Sequence, residues 1–180
     1  HAVPAYWGSK SKGILLFGSQ PFGLRADEQF GWMYHGGGQA LYDEMYGRFG
    51  IKPFLCGNSG PQWGGWFRND INSAEDLKGL KFRAPGNQGK ILQKLGATPV
   101  VLSGGEIFPA LQSGAIDGAE WVGPYNDLSL GFYQVCKYYY SYGYHEPGAA
   151  LQLMINEEAW QSLDSELQAI VKASADVANQ

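Results

Sequence analysis

Apolar residues fall along this chain in short runs, and glycine or proline breaks almost every one. Residues 14–17 are four apolar positions between Gly13 and Gly18, a pattern that predicts a buried strand leading into a Pro21-Phe22-Gly23 turn. From Arg25 onward the spacing turns helical. It is interrupted at residues 36–38 and resumes in a second helix that ends at Gly50. "KPFLCGNSG" reads as another short strand with a turn, and "GGWFRNDI" follows it. Ser73 opens a short helical segment as its N-cap, with Glu75 and Asp76 in the first turn. Strand "GLKFRAP" stops at Pro85, helix "GNQGKILQKLGA" at Gly96, and helix "GGEIFPALQSGA" at Gly114, with strand "TPVVLS" between the helices and strand "IDGAEWV" after them. The order β-α-β-α-β over residues 81–122 predicts a parallel sheet with crossover helices. "KYYYSYGY" and "AALQLMIN" are further strands, and Asn156 caps a final helical region.

Parallel α/β sheets bind ligands beyond the carboxyl ends of their strands. Arg83, Glu120 and Trp121 all fall at such ends, which directs them to one cleft. A guanidinium beside a Pro-Gly turn can grip a carboxylate through two parallel hydrogen bonds. The competing reading is a surface arginine paired with a local acid. Glu120 suits a metal ligand, a general acid or base, or an ion-pair partner, and Trp121 suits the wall of a small pocket. Ordinary packing and pairing compete with both roles.

Composition narrows the choice of function. Hydrophobic residues make up 44% and charged residues 17% of 180 positions, so the chain is globular, with room for one cored domain or two small lobes. Aromatics at 14% beside 26 glycines suit tight turns around aromatic-lined surfaces. A formal charge of −4 argues against nucleic acid as a partner. No apolar run reaches the roughly 18 residues of a membrane span. The glycine clusters "HGGGQA" and "GNSGPQWGG" match neither dinucleotide nor P-loop patterns, so turn and cap duty explains them. The three histidines form no HExxH, and there is no GxSxG or Ser/His/Asp set, so enzyme chemistry has little support. Cys56 and Cys136 lie far apart without a CxxC, and two small buried thiols stand ahead of a disulfide. The chain opens on His1 and stops inside a helical pattern, so it reads as a fragment lacking both termini.

The stretch "DLKGLKFRAPGNQGKILQKLGATPVVLSGGEIFPALQSGAIDGAEWVGPYND" resembles the substrate-binding proteins of tripartite ATP-independent periplasmic (TRAP) transporters, the DctP-like family. The flanking "PFG", "GGGQALYDE", "GPQWGGWF", "KYYY" and "HEPGAALQLMIN" are more similar to its 2-oxo-acid and lactate-binding branch than to its dicarboxylate or sialic acid branch. The resemblance covers nearly the whole chain. It implies an α/β, two-lobed periplasmic binding protein (class II-like), present in part, with parallel or mixed sheets, flanking helices, a cleft between the lobes and a hinge. By the same analogy residues 1–76 belong to lobe one, 77–145 form lobe two, and 146–180 return to lobe one and the connecting helix.

The resemblance also assigns residues. Arg83 matches the carboxylate-binding arginine and Asn87 a polar ligand contact. Glu120, the Trp121 carbonyl and Glu146 match the holders of a bridging Na⁺ or Ca²⁺, with His145 in reserve for the third. Gln62 and Tyr6 are similar to lobe-one residues that close over the ligand, and Trp121 limits its size. The implied function is capture of a small 2-oxo or 2-hydroxy monocarboxylate, such as pyruvate or lactate, outside the cytoplasm for delivery to a TRAP membrane permease. No bond is made or broken, and the full-length protein has a homodimer among its implied assemblies. The alternatives are a metal-assisted lyase or decarboxylase acting on oxo acids, and the sensing domain of a receptor.

Overall fold

The computed structural model describes residues 3–179. Helices α1 (Ala26–His35) and α2 (Gly38–Gly47) lead into strands β1 (Ile51–Asn58) and β2 (Gly65–Phe67). Strand β3 (Lys81–Arg83), helix α3 (Gly86–Lys94), strand β4 (Thr98–Val100), helix α4 (Gly104–Ser113) and strand β5 (Gly118–Ala119) follow. Helix α5 (Pro124–Leu130), strands β6 (Tyr138–Tyr140) and β7 (Ala150–Asn156), and helices α6 (Glu157–Gln161) and α7 (Ser165–Asn179) come last. The chain forms two compact units. One comprises the residues up to Gly60 together with those from Pro147 on, and the other is Pro61–Glu146.

In the first unit β1 and β7 pair antiparallel, with Ile51 opposite Asn156 and Leu55 opposite Gln152. Successive side chains of a strand point to opposite faces, and both faces of this ribbon are covered. Leu55 packs with Ile14, Phe17, Met33, Tyr42 and Tyr46, while Phe54 packs with Trp160 and Ala175. Gln152 is buried in the first of these layers, where the hydroxyls of Tyr42 and Tyr46 each donate to its Oε1 at 2.6 Å. The carboxamide thus satisfies two phenols that burial would otherwise penalise.

The second unit holds a five-stranded sheet of order β4-β3-β5-β2-β6 among the described residues. The β-α-β-α-β order expected over residues 81–122 is present, with β3 parallel to both β4 and β5. β2 then runs antiparallel to β5 and β6, which makes the sheet mixed. Gly118 lies at its centre. A Cβ there would stand 2.7 Å from the Trp66 carbonyl oxygen and 2.8 Å from the Phe82 ring, so only glycine allows β2, β3 and β5 to approach this closely. Ile107, Leu111, Ile116, Ala119 and Phe132 form one apolar cluster of this unit, and Phe67, Phe82, Ala84 and Leu92 another.

Three expectations change. The run at residues 14–17 lies in a 3₁₀ helix, Lys12–Phe17, capped by the Ser11 hydroxyl accepting from the Gly13 N–H. Three residues per turn put Ile14 and Phe17 on one buried face and leave Leu16 65% exposed, an arrangement a buried strand does not give. The second helix ends at Gly47 rather than Gly50; Gly50 instead takes a positive φ of 65° in the turn before β1. The units divide at Gly60 and Pro61 rather than after residue 76, because β2 hydrogen-bonds into the sheet of the second unit.

Candidate functional site

The sequence that forms β3 ends in Arg83, and its side chain turns into the unit rather than into solvent. It is 1% exposed. Its Nη1 donates to Glu120 Oε1 at 2.6 Å and to the Glu120 carbonyl oxygen at 3.0 Å, and its Nε donates to the Leu102 carbonyl at 3.2 Å. The guanidinium carbon lies 5.2 Å from the centre of the Trp121 ring, a cation-π approach. The parallel pairing of β3 with β5, Arg83 opposite Ala119, delivers Glu120 and Trp121 to this place. Trp121 also rests on the start of α4, where a Cβ at Gly104 would meet its ring at 2.7 Å.

Glu120 is as buried as Arg83. Its second carboxylate oxygen lies 3.5 Å from His145 Nε2. His145 is itself buried, and neither ring nitrogen has a hydrogen-bond partner among the described residues. Glu146 follows, and its carboxyl is pushed up to about 8. Burial is the main cause, the charge of Glu120 adds to it, and Arg83 opposes it. Two acids therefore share the field of one guanidinium. The Gln62 N–H donates to the Glu146 carbonyl at 2.9 Å, which places Gln62, buried, beside the same segment.

Of the residues singled out from the sequence, Arg83, Glu120, Trp121, Glu146, His145 and Gln62 come together in the second unit. Arg83 is not the surface arginine of the competing reading, yet it does pair with an acid, and the acid is Glu120. Asn87 lies in the first turn of α3, half-buried, where its Oδ1 accepts from Lys90 Nζ at 2.8 Å. Tyr6 belongs to the first unit, in the 3₁₀ helix Pro4–Trp7. Cys56 and Cys136 are free thiols.

Two features escaped the sequence. One is the Leu102 carbonyl that holds Arg83. The other is Asp127, 1% exposed, which accepts from the Val122 and Gly123 amides and from the side chains of Trp66 and Tyr139. An acid in the first turn of a helix opened by Gly123-Pro124 was the available signal.

The donors present suit a hard cation. Among the described residues no three His, Cys, Asp or Glu side chains cluster to hold a metal, so a closed zinc-type shell is not built here. The carboxylates of Glu120 and Glu146 and the Trp121 carbonyl are oxygen donors, the kind Na⁺ and Ca²⁺ take. Burial, with the charge of Glu120 adding to it, holds the Glu146 carboxyl above its ordinary range.

A family described as bacterial extracellular solute-binding protein, family 7, matches residues 1–180. The monocarboxylate 2-oxoacid-binding periplasmic protein all3028 of Nostoc sp. PCC 7120 is 45% identical over 99% of this chain and 49% of its own. A TRAP periplasmic solute-binding protein of Pseudoalteromonas atlantica T6c, solved with bound sodium and pyruvate, is 45% identical with a TM-score of 0.96 over 99% of this chain and 54% of that one. Another from Colwellia psychrerythraea, with bound calcium and pyruvate, is 47% identical with a TM-score of 0.95 and the same coverage. The chain thus spans about half the length of these relatives.

Proposed function

Because the chain belongs to family 7 of the bacterial extracellular solute-binding proteins, we propose that it captures a small 2-oxo or 2-hydroxy monocarboxylate together with a cation, for delivery to a TRAP membrane permease. The observation that carries this reading is the buried set of Arg83, Glu120 and Glu146, in which two acids face one guanidinium. The relatives with 45–47% identity hold pyruvate with sodium or calcium. No helix among the described residues is long and apolar enough to cross a membrane, in keeping with a periplasmic binding protein.

Charge balance makes the cation integral to the reading. Once Glu146 gives up its proton, a bound monocarboxylate and the two glutamates carry three negative charges against the one of Arg83. Ca²⁺ balances the set, and Na⁺ leaves a single charge to be spread over hydrogen bonds. Uncompensated charge in a buried place is costly. Glu120, the Trp121 carbonyl and Glu146 would hold the cation, which supplies positive charge to the ligand's oxygens. Arg83 faces the carboxylate with a planar set of donors, the Trp121 ring excludes water and limits size, and Asn87, Gln62 and Tyr6 are the further contacts in this reading. The ligand leaves chemically unchanged.

Calorimetric titration with pyruvate as a sodium-free salt, in sodium-free buffer with a calcium chelator and then with Na⁺ or Ca²⁺ restored, tests it. Cation and ligand should strengthen each other by the same factor, and Glu120→Gln should abolish that coupling. Equal affinities in both buffers, with full binding by Glu120→Gln, would remove the cation from the site.

A further inference from the structure

Asp127 is a carboxylate with almost no exposure and no ion-pair partner among the described residues. Its two oxygens are instead divided between two tasks. Oδ1 accepts from two successive backbone amides, Val122 N–H at 3.0 Å and Gly123 N–H at 3.1 Å. Oδ2 accepts from Trp66 Nε1 at 2.9 Å and from the Tyr139 hydroxyl at 2.9 Å. The rings of Trp66 and Tyr139 stack in turn, 3.8 Å apart and within 9° of parallel. The carboxylate is therefore fixed from the β2–β6 side and holds the backbone that follows β5 from the other.

Peptide planarity carries this one step further. The Trp121 carbonyl and the Val122 N–H belong to one trans peptide, so they point in opposite directions. Anchoring that N–H on Asp127 aims the Trp121 carbonyl away from Asp127. The peptide before it is held by Arg83, whose Nη1 donates to the Glu120 carbonyl, and the peptide after it by Trp63, whose N–H donates to the Val122 carbonyl at 2.9 Å. Three consecutive peptide planes are pinned, and the middle one carries the oxygen offered to the cation.

We propose that Asp127 is a positioning residue: it sets the direction of the Trp121 carbonyl and thereby the strength with which the site takes its cation. The inference rests on the cation reading given above. In Asp127→Asn the amide group keeps the volume but replaces one acceptor by donors, so either the backbone amides or the Trp66 and Tyr139 pair lose their partner.

The test is the pyruvate titration in sodium-free buffer with chelator and then with Ca²⁺, run on the unaltered protein and on Asp127→Asn, with far-ultraviolet circular dichroism to check the fold. The expected result is a loss of Ca²⁺ affinity of at least about tenfold, equivalent to one misplaced ligand bond. Pyruvate affinity in chelator should stay at the level of the unaltered protein, which a general loss of structure would not leave in place. If Asp127→Asn does not fold, Tyr139→Phe replaces it, since it keeps the stacked ring and removes one donor. A several-fold loss of Ca²⁺ affinity is then expected. Calcium dependence in the unaltered protein that the folded variant retains in full overturns the inference alone. An unaltered protein indifferent to the cation overturns the cation reading, and the inference with it.

Discussion

At the scale of the residue, the buried pair of Arg83 and Glu120 holds the fold and, on the proposed function, also binds the ligand, and the two roles can be separated. Removing one partner strands the other's charge away from water, at a cost of about 3–5 kcal/mol. Arg83→Ala should therefore lower stability in urea unfolding by that order, as well as weakening pyruvate binding by about a hundredfold or more. Arg83→Lys should restore little binding, because one ammonium does not reproduce the planar fork. Arg83→Met combined with Glu120→Gln should regain most of the stability and none of the binding. A single variant as stable as the parent would show that the pair is not closed off from solvent as the geometry indicates. Glu146 gives a pH prediction. Its folded value of about 8 lies above its ordinary 4.5, so the folded protein holds that proton more tightly than the unfolded chain. The stability this contributes is fully present below about 4.5 and is lost as pH rises through about 8. Melting temperatures in chelator should show that fall, and Glu146→Gln should flatten it. A Glu146→Gln profile with the slope of the parent would assign the fall to other groups.

At the scale of the element, Gly118 decides how closely β3 and β5 approach, and those strands present Arg83 and Glu120. Gly118→Ala should destabilise by about 1–3 kcal/mol, the usual cost of an overfilled site, and should weaken ligand binding by spreading the two strand ends. Denaturant unfolding with parallel titration checks both, and a variant unchanged in stability and affinity would mean the sheet gives way freely. The elements themselves were largely legible, because caps and punctuation are local: Ser73, Gly96, Gly114 and Asn156 act where the sequence places them. Residues 14–17 were not legible, since four apolar residues fit a strand or a helical turn equally until their neighbours are known. The site divided along the same line. Strand ends pointed to Arg83, Glu120 and Trp121, whereas the pairing of Arg83 with Glu120 and the tether from Asp127 depend on which strands become neighbours. Nothing local announces that Trp66 and Tyr139 will share one carboxylate with Val122.

At the scale of the whole molecule, the first unit is made from both ends of the chain and the second from one uninterrupted stretch, Pro61–Glu146. That stretch has its own apolar clusters and its own sheet. Expressed alone it should unfold in a single cooperative transition followed by circular dichroism, and a broad, gradual loss of signal would show that it depends on the rest of the chain. The hydrogen bond from the Gln62 N–H to the Glu146 carbonyl brings the entry and exit of this stretch side by side. An insert whose ends meet behaves as a cassette: it can be lifted out or exchanged with little demand on the flanking chain. Arg83, Glu120, Trp121, His145 and Glu146 would all move together in such an exchange, so, on the proposed function, recombination between relatives at these two points would trade the charged groups of the candidate site as one heritable block while leaving the β1–β7 scaffold untouched.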